Sequence, residues 1–165
     1  MIDRLNIRSG SSDWRGRILS NLAPTPFRIG DFVFPSVESP LQGIKFADPS
    51  TRQKVFVMNG LDALKAGRVI TRTIKDDTNH FVYWQNERLS YNSLEHRLLI
   101  AMFIHEKVRQ NPEVQQALLA TAGTFIFHDT GGKESPHTSL PEKFYIEVLL
   151  AQRQLLKRLN KIAQA

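Results

Sequence analysis

Phe34-Pro35-Ser36-Val37-Glu38-Ser39-Pro40-Leu41-Gln42-Gly43-Ile44-Lys45-Phe46 is the stretch where the chain changes its period. Before it the sequence is dense in turn formers, with Ser9-Gly10-Ser11-Ser12, Pro24-Thr25-Pro26 and Gly30-Asp31. Phe27 to Ile29 and Phe32 to Phe34, two short apolar runs on either side of Gly30-Asp31, predict a β-hairpin. Inside the stretch Val37, Leu41 and Ile44 recur at i, i+4, i+7, which is the buried stripe of a short helix. Two starts fit that helix: Ser36 as N-cap, or Ser39 as N-cap with Pro40 in the first turn.

Working outward, Asp48-Pro49 opens a second helix by the same signal, running to Met58, where Asn59-Gly60 interrupts it. Leu61 to Ala66 predicts a further turn or two, stopped by Gly67 at the C′ position. Residues 69–74 and 79–84 carry strand-like content, with Asp76-Asp77 between them. Ser93 caps a long helix to about Gln110, ended by Asn111-Pro112, and Glu113 to Ala120 is another. Thr124 to Phe127 is a short β-branched and aromatic segment. The loop from His128 to Leu140 precedes a last amphipathic helix starting at Pro141. No Gly/Ser/Pro-rich linker, low-complexity tract or repeat divides the sequence. The expectation is an α+β fold: one helix-dominated domain over 1–165 with a few short strands.

Composition bounds the function. The chain has 165 residues, 41% hydrophobic and 23% charged, enough to bury a core without covalent staples. It has no cysteine, which removes disulfides, thiolate nucleophiles and cysteine-based metal sites. The longest apolar run, Leu98 to Ile104, is far short of the roughly 18 residues a membrane span needs. The polar first 21 residues lack a signal-peptide core, so a cytoplasmic location is expected. A formal charge of +6 favours polyanionic partners or simply solubility. Arg4, Arg8, Arg15 and Arg17 make the N-terminal arm basic, and Arg153, Lys157, Arg158 and Lys161 do the same for the last helix.

Chemistry concentrates in two places. Beside the apolar stripe runs a polar one, Glu38, Gln42 and Lys45, again at i, i+4, i+7. Such a stripe is usually a solvated face. Here Lys45 sits between Ile44 and Phe46, and Glu38 follows Phe34-Pro35-Ser36-Val37, so both charges have apolar neighbours. Partial burial lowers a lysine pKa and raises a carboxylate's, which suits a nucleophile and a proton carrier. The second place is the loop from His128 to Ser139, where glycines, hydroxyls and Lys133 suit an anion, although such loops are more often simply exposed. It lacks the spacing of a P-loop. The five histidines show no metal-ligand pairing, so no metal and no cofactor are expected. His96 and His105 fall inside the long helix in structural or surface roles. Neither a G-x-S-x-G elbow nor a dinucleotide fingerprint is present. Trp14 and Trp84 are core residues in the ordinary case, or platforms on which a base stacks.

The run Gly16-Arg17-Ile18-Leu19-Ser20-Asn21-Leu22, then Pro26-Phe27, Phe34-Pro35-Ser36-Val37-Glu38 and Gln42-Gly43-Ile44-Lys45-Phe46, resembles the NADAR superfamily. More loosely, Ala63-Leu64-Lys65-Ala66-Gly67-Arg68 and Ala117-Leu118-Leu119-Ala120-Thr121 are similar to later segments of that family. The sequence departs from it where a histidine commonly follows the helix glutamate, which is Ser39 here. It also lacks the D-x-x-W-G-x-G loop and has no tryptophan after Trp84.

The resemblance implies an N-glycosidase acting at a ribose carbon. One branch cleaves phosphoribosyl intermediates of riboflavin synthesis. Another removes ADP-ribose from guanine in DNA, as antitoxin to a DNA ADP-ribosyltransferase toxin, and the 128–139 loop looks more like that branch. The implied partners are ADP-ribosylated DNA, single-stranded for preference, ADP-ribose as product and a cognate toxin. Lys45 is then the candidate nucleophile, holding C1″ as an imine, and Glu38 the proton carrier. Asn21 would grip the ribose. Arg8, Ser9, His128, Asp129, Ser135, His137, Thr138 and Ser139 would contact the diphosphate or adenosine, and Trp84 would line the cleft. The alternatives are glycosidase action on the phosphoribosylated metabolites, or a non-catalytic module that binds ADP-ribose or NAD. A plain basic DNA-binding protein ranks lower, since no helix-turn-helix spacing stands out.

Overall fold

The structure, a computed structural model, describes residues 3–164. Its centre is α2 (Glu38–Gly43), every residue of which is buried. Neither candidate serine caps this helix. Val37 occupies the N-cap, and the Ser39 hydroxyl donates to the Met58 carbonyl at 2.7 Å while accepting from Ser36. The orphan N–H of Glu38 donates instead to the Asn21 carbonyl at 3.0 Å, tying the helix start to a segment far back in the chain.

Flanking α2 are α3 (Pro49–Phe56), capped by Asp48, and α4 (Gly60–Thr71), capped by Asn59. Missing side chains let both come close. A Cβ on Gly43 would stand 2.4 Å from the Phe56 ring, and one on Gly67 would stand 1.8 Å from Gln42 Oε1. This corrects the expectation that Gly67 ends its helix: α4 runs through it to Thr71 because the glycine is where α2 packs. The strand expected over 69–74 is therefore the last turn of α4 and the turn after it. Packing overrides the strand preference of Val69, Ile70 and Thr71.

The hairpin around Gly30 forms as expected, with β2 (Phe27–Ile29) antiparallel to β3 (Phe32–Phe34) and Gly30 at φ 57°. A second hairpin joins β4 (Phe81–Trp84) to β5 (Glu87–Ser90), a polar strand without alternation that the sequence reading passed over. The expected helices follow: α5 (Leu94–Gln110) capped by Ser93, α6 (Pro112–Leu119) and α7 (Glu142–Ala163). Two more elements went unread in the turn-rich N-terminus. They are β1 (Arg4–Asn6), parallel to β6 (Phe125–Phe127), and α1 (Trp14–Leu19), capped by Asp13.

One continuous core gathers Phe34 of β3, Ile44 after α2, Phe103 and Ile104 of α5, Leu118 of α6 and Leu149 of α7, all at 2% exposure or less. Each such side chain contributes about 1.5–3 kcal/mol by leaving water. The result is an α+β domain, 49% helical with short strands. Among the described residues no helix is long and apolar enough to cross a membrane.

Candidate active site

One helical turn separates Glu38 from Gln42, and Lys45 follows the end of α2, so the polar stripe projects from one side. Gln42 joins the other two. Its Nε2 donates to Glu38 Oε1 at 2.5 Å, and its Oε1 accepts from Lys45 Nζ at 2.8 Å. Lys45 Nζ also donates to Thr71 Oγ1 at 2.9 Å, whose own proton goes to the Gly67 carbonyl. The amide orientation follows from this chain, since the reverse would set two donors against each other.

Glu38 is 8% exposed and Lys45 7%. Burial raises the Glu38 pKa, against the opposing pull of the Gln42 hydrogen bond and the Lys45, His128 and Arg68 charges. Burial lowers Lys45 to about 8, with the Glu38 charge opposing. A neutral amine has two protons and one lone pair. With both protons spent on Gln42 and Thr71, the lone pair is left for chemistry.

This chain forms one wall of a cavity of about 480 Å³. Asn21 and Leu22 line it from the segment after α1, Arg68 and Thr71 from α4, and Tyr145 from α7. The 128–140 loop contributes Thr130, Ser135, Thr138 and Ser139. Asn21 Oδ1 is buried without a hydrogen-bond partner among the described residues, an acceptor that a ligand hydroxyl would satisfy. His128 Nδ1 donates to the Ile7 carbonyl at 2.5 Å, which leaves Nε2 as the ring's free nitrogen. Cationic, hydroxyl and apolar walls together suit a phosphorylated sugar nucleotide.

Beneath the cavity, Lys107 of α5 is 2% exposed. Its Nζ donates to the carbonyls of Leu19 at 3.2 Å and Ser20 at 2.6 Å, and Tyr145 Oη donates to the same Leu19 carbonyl at 2.7 Å. These bonds hold the chain immediately before Asn21. Burial lowers the Lys107 pKa to about 7.

Of the residues singled out in the sequence, Glu38, Lys45, Asn21, His128, Ser135, Thr138 and Ser139 meet at this cavity. Five do not. Trp84 is enclosed by Phe32, Phe34, Phe56 and Phe103, at ring separations of 5.2–6.4 Å, because β4 lies over the aromatic core. Arg8 and Ser9 follow β1 around a turn into separate surface hollows. Asp129 and His137 hold the loop in place rather than lining the cavity. Asp129 exchanges backbone bonds with the Asn6 amide, and His137 pairs with Asp77 at 3.2 Å. Sequence reasoning missed the site positions of Arg68, Thr71, Tyr91 and Tyr145 and the support from Lys107. Only Arg68 carried a signal, as the last residue of the Gly67-Arg68 pair. Among the described residues no three His, Asp or Glu side chains cluster as metal ligands would.

Three comparisons place this geometry among known proteins. YbiA of E. coli, solved by NMR, superposes with a TM-score of 0.69 at 20% identity, covering 98% of this chain and 89% of that one. The helix-dominated α+β fold expected from the sequence is thus shared with a solved protein over nearly the whole chain. A protein of Enterobacteria phage T4, described as an uncharacterized 17.1 kDa protein in the Gp30-rIII intergenic region, is 30% identical over 156 residues. That match covers 94% of this chain and all of the phage protein. The model of the family described as bacteriophage protein GP30.3 matches residues 13–154, which include Glu38, Lys45 and the whole cavity, and the chain belongs to that family.

Proposed function

We propose that the protein is an N-glycosidase that removes ADP-ribose from modified guanine in DNA, reversing a DNA ADP-ribosyltransferase toxin. The observation that carries this reading is the hydrogen-bonded chain from Glu38 through Gln42 to Lys45 on the wall of the 480 Å³ cavity. The NADAR-like fold supports glycosidase chemistry, and the basic surface supports a nucleic-acid substrate.

The pathway uses the two groups in the directions that burial shifts them, Glu38 toward its acid form and Lys45 toward its free amine. Glu38 gives its proton to the departing base nitrogen as Lys45 Nζ attacks C1″ and the glycosidic bond breaks. The Glu38 carboxylate then takes a proton from the new ammonium and passes it to the ring oxygen. The ribose opens, leaving an iminium between C1″ and Nζ. Water adds at C1″ and gives a proton to the Glu38 carboxylate, which passes it to nitrogen. The new hydroxyl then returns its proton to Glu38 as the C1″–Nζ bond breaks. ADP-ribose leaves as the open aldehyde with both side chains restored. Asn21 Oδ1 accepts from a ribose hydroxyl, and Arg68 meets the diphosphate.

Borohydride added during turnover of an ADP-ribosylated oligonucleotide is expected to fix one ADP-ribose mass on Lys45. No adduct, together with a fully active Lys45→Ala, refutes the imine. Cleavage of phosphoribosylated pyrimidines but not of the oligonucleotide would move the activity to the metabolite branch.

A further inference from the structure

The two tryptophans have opposite surroundings. Trp84 is walled in by phenylalanines, whereas Trp14, the first residue of α1, is 50% exposed. An indole left half in water forgoes a large share of its hydrophobic stabilisation. It stands over a groove of about 480 Å³ with an apolar floor of Ile18, Leu22 and Pro24.

That groove is not isolated. Leu22 also lines the Glu38–Lys45 cavity, and Ser9, Leu22 and Pro24 are shared with a hollow of about 360 Å³ between them. The surface therefore continues from the cavity mouth over Leu22 to the indole. It offers an anion one cation. Arg17 lines the groove with one nitrogen fixed by the Ser11 and Ser12 carbonyls at 2.9 and 2.8 Å. Among the described residues neither Arg17 nor nearby Arg8 forms an ion pair. The groove's lining includes a single carboxylate, Glu113.

We infer that Trp14 is a stacking platform for an unmodified nucleobase of the same single strand whose modified nucleotide enters the cavity, with Arg17 on the intervening phosphate. An aromatic face beside an unpaired guanidinium is the combination that holds single-stranded nucleic acid without reading its sequence. In a duplex the bases are already stacked, so the occupant is a single strand. The inference rests on the proposed function for its substrate, but its test does not depend on cleavage.

The probe is dT10 with unmodified bases and a 5′ fluorescein, titrated against the full chain at fixed salt and followed by fluorescence anisotropy. In the parent, tryptophan emission should be quenched on binding. Trp14→Ala should weaken dT10 binding roughly tenfold, while Trp14→Phe retains most of it. Arg17→Gln should weaken binding and flatten its salt dependence. Free ADP-ribose, measured by calorimetry, should bind Trp14→Ala within twofold of the parent. Unchanged dT10 affinity in Trp14→Ala overturns the platform. An equal loss of ADP-ribose affinity also overturns it, by placing adenine on the indole. If dT10 binds as expected but the modified oligonucleotide is never cleaved, the platform stands and the glycosidase reading falls.

Discussion

Lys45 and Lys107 are both buried, both donate only to uncharged oxygens, and both have amines shifted toward neutrality by desolvation. Lys107 is shifted further, to about 7 against about 8. Yet Lys107 ends on two backbone carbonyls inside the core, while Lys45 ends on the wall of a ligand-sized cavity. A depressed lysine thus marks a reactive group only where a substrate has room to reach it. In the core the same chemistry braces a backbone segment.

The strongest way to break this comparison is to remove the cavity lysine. Lys45→Ala is expected to lower ADP-ribose release from an ADP-ribosylated oligonucleotide by about a thousandfold or more. Trapped adduct, mapped by peptide mass, should sit on Lys45; adduct on Lys107 would erase the distinction. Next comes Glu38→Gln, which keeps an acceptor for Gln42 but carries no acidic proton. A loss of roughly a hundredfold or more is expected, with an unchanged circular dichroism spectrum. Near-normal turnover would return Glu38 to a passive place on the wall.

Gly67→Ala probes the link between the two catalytic candidates. Its Cβ would occupy the space of Gln42 Oε1, so the amide must swing and release Lys45. Misplacement on this scale lowers the rate by about ten- to a hundredfold. A rate within twofold of the parent would show that the bridging amide is dispensable.

The smallest effect concerns stability. For both lysines the folded pKa lies below the ordinary 10.5, so between about 7 and about 10 the unfolded chain binds more protons than the folded one. Stability therefore rises with pH through that window and falls as pH drops toward 7. Tyr145, raised by burial, reverses the trend above its ordinary 10.0. Urea titrations across the window should show stability rising steadily with pH, by several kcal/mol for two fully expressed shifts. Lys107→Met should flatten the slope. An equally steep slope in that variant would mean the folded Lys107 is charged throughout.

How far these features could be read from the sequence depended on whether the signal was local. The α2 stripe and the Gly30 hairpin sit within a few residues, and both were legible. Glu38 and Lys45 were legible as well, because their motif and their spacing lie on one short helix. Gly67 misled, since a glycine ending a helix and a glycine admitting a neighbour's side chain look alike in one dimension. Arg68, Thr71, Tyr91 and Tyr145 reach the cavity from three other parts of the chain, and no spacing rule connects them to Lys45. Nothing local in the sequence sets Lys107 apart from the other charges of the long helix. Its burial is decided by where the Leu19 and Ser20 carbonyls come to rest.

The parallel pairing of β1 with β6 bears on the order of folding. It joins segments as far apart as Ile7 and His128, 121 residues, through short strands and a few hydrogen bonds. Closing a flexible loop of that length costs about 4 kcal/mol before any fixed contribution, and each bond returns only about 1 kcal/mol. The pairing cannot nucleate by itself. It must wait until the helices have condensed and shortened the gap, and the 128–140 wall waits with it. On that order a refolding chain sets its α2 side chains along an open trough first, and completes the cavity only when its two distant edges meet.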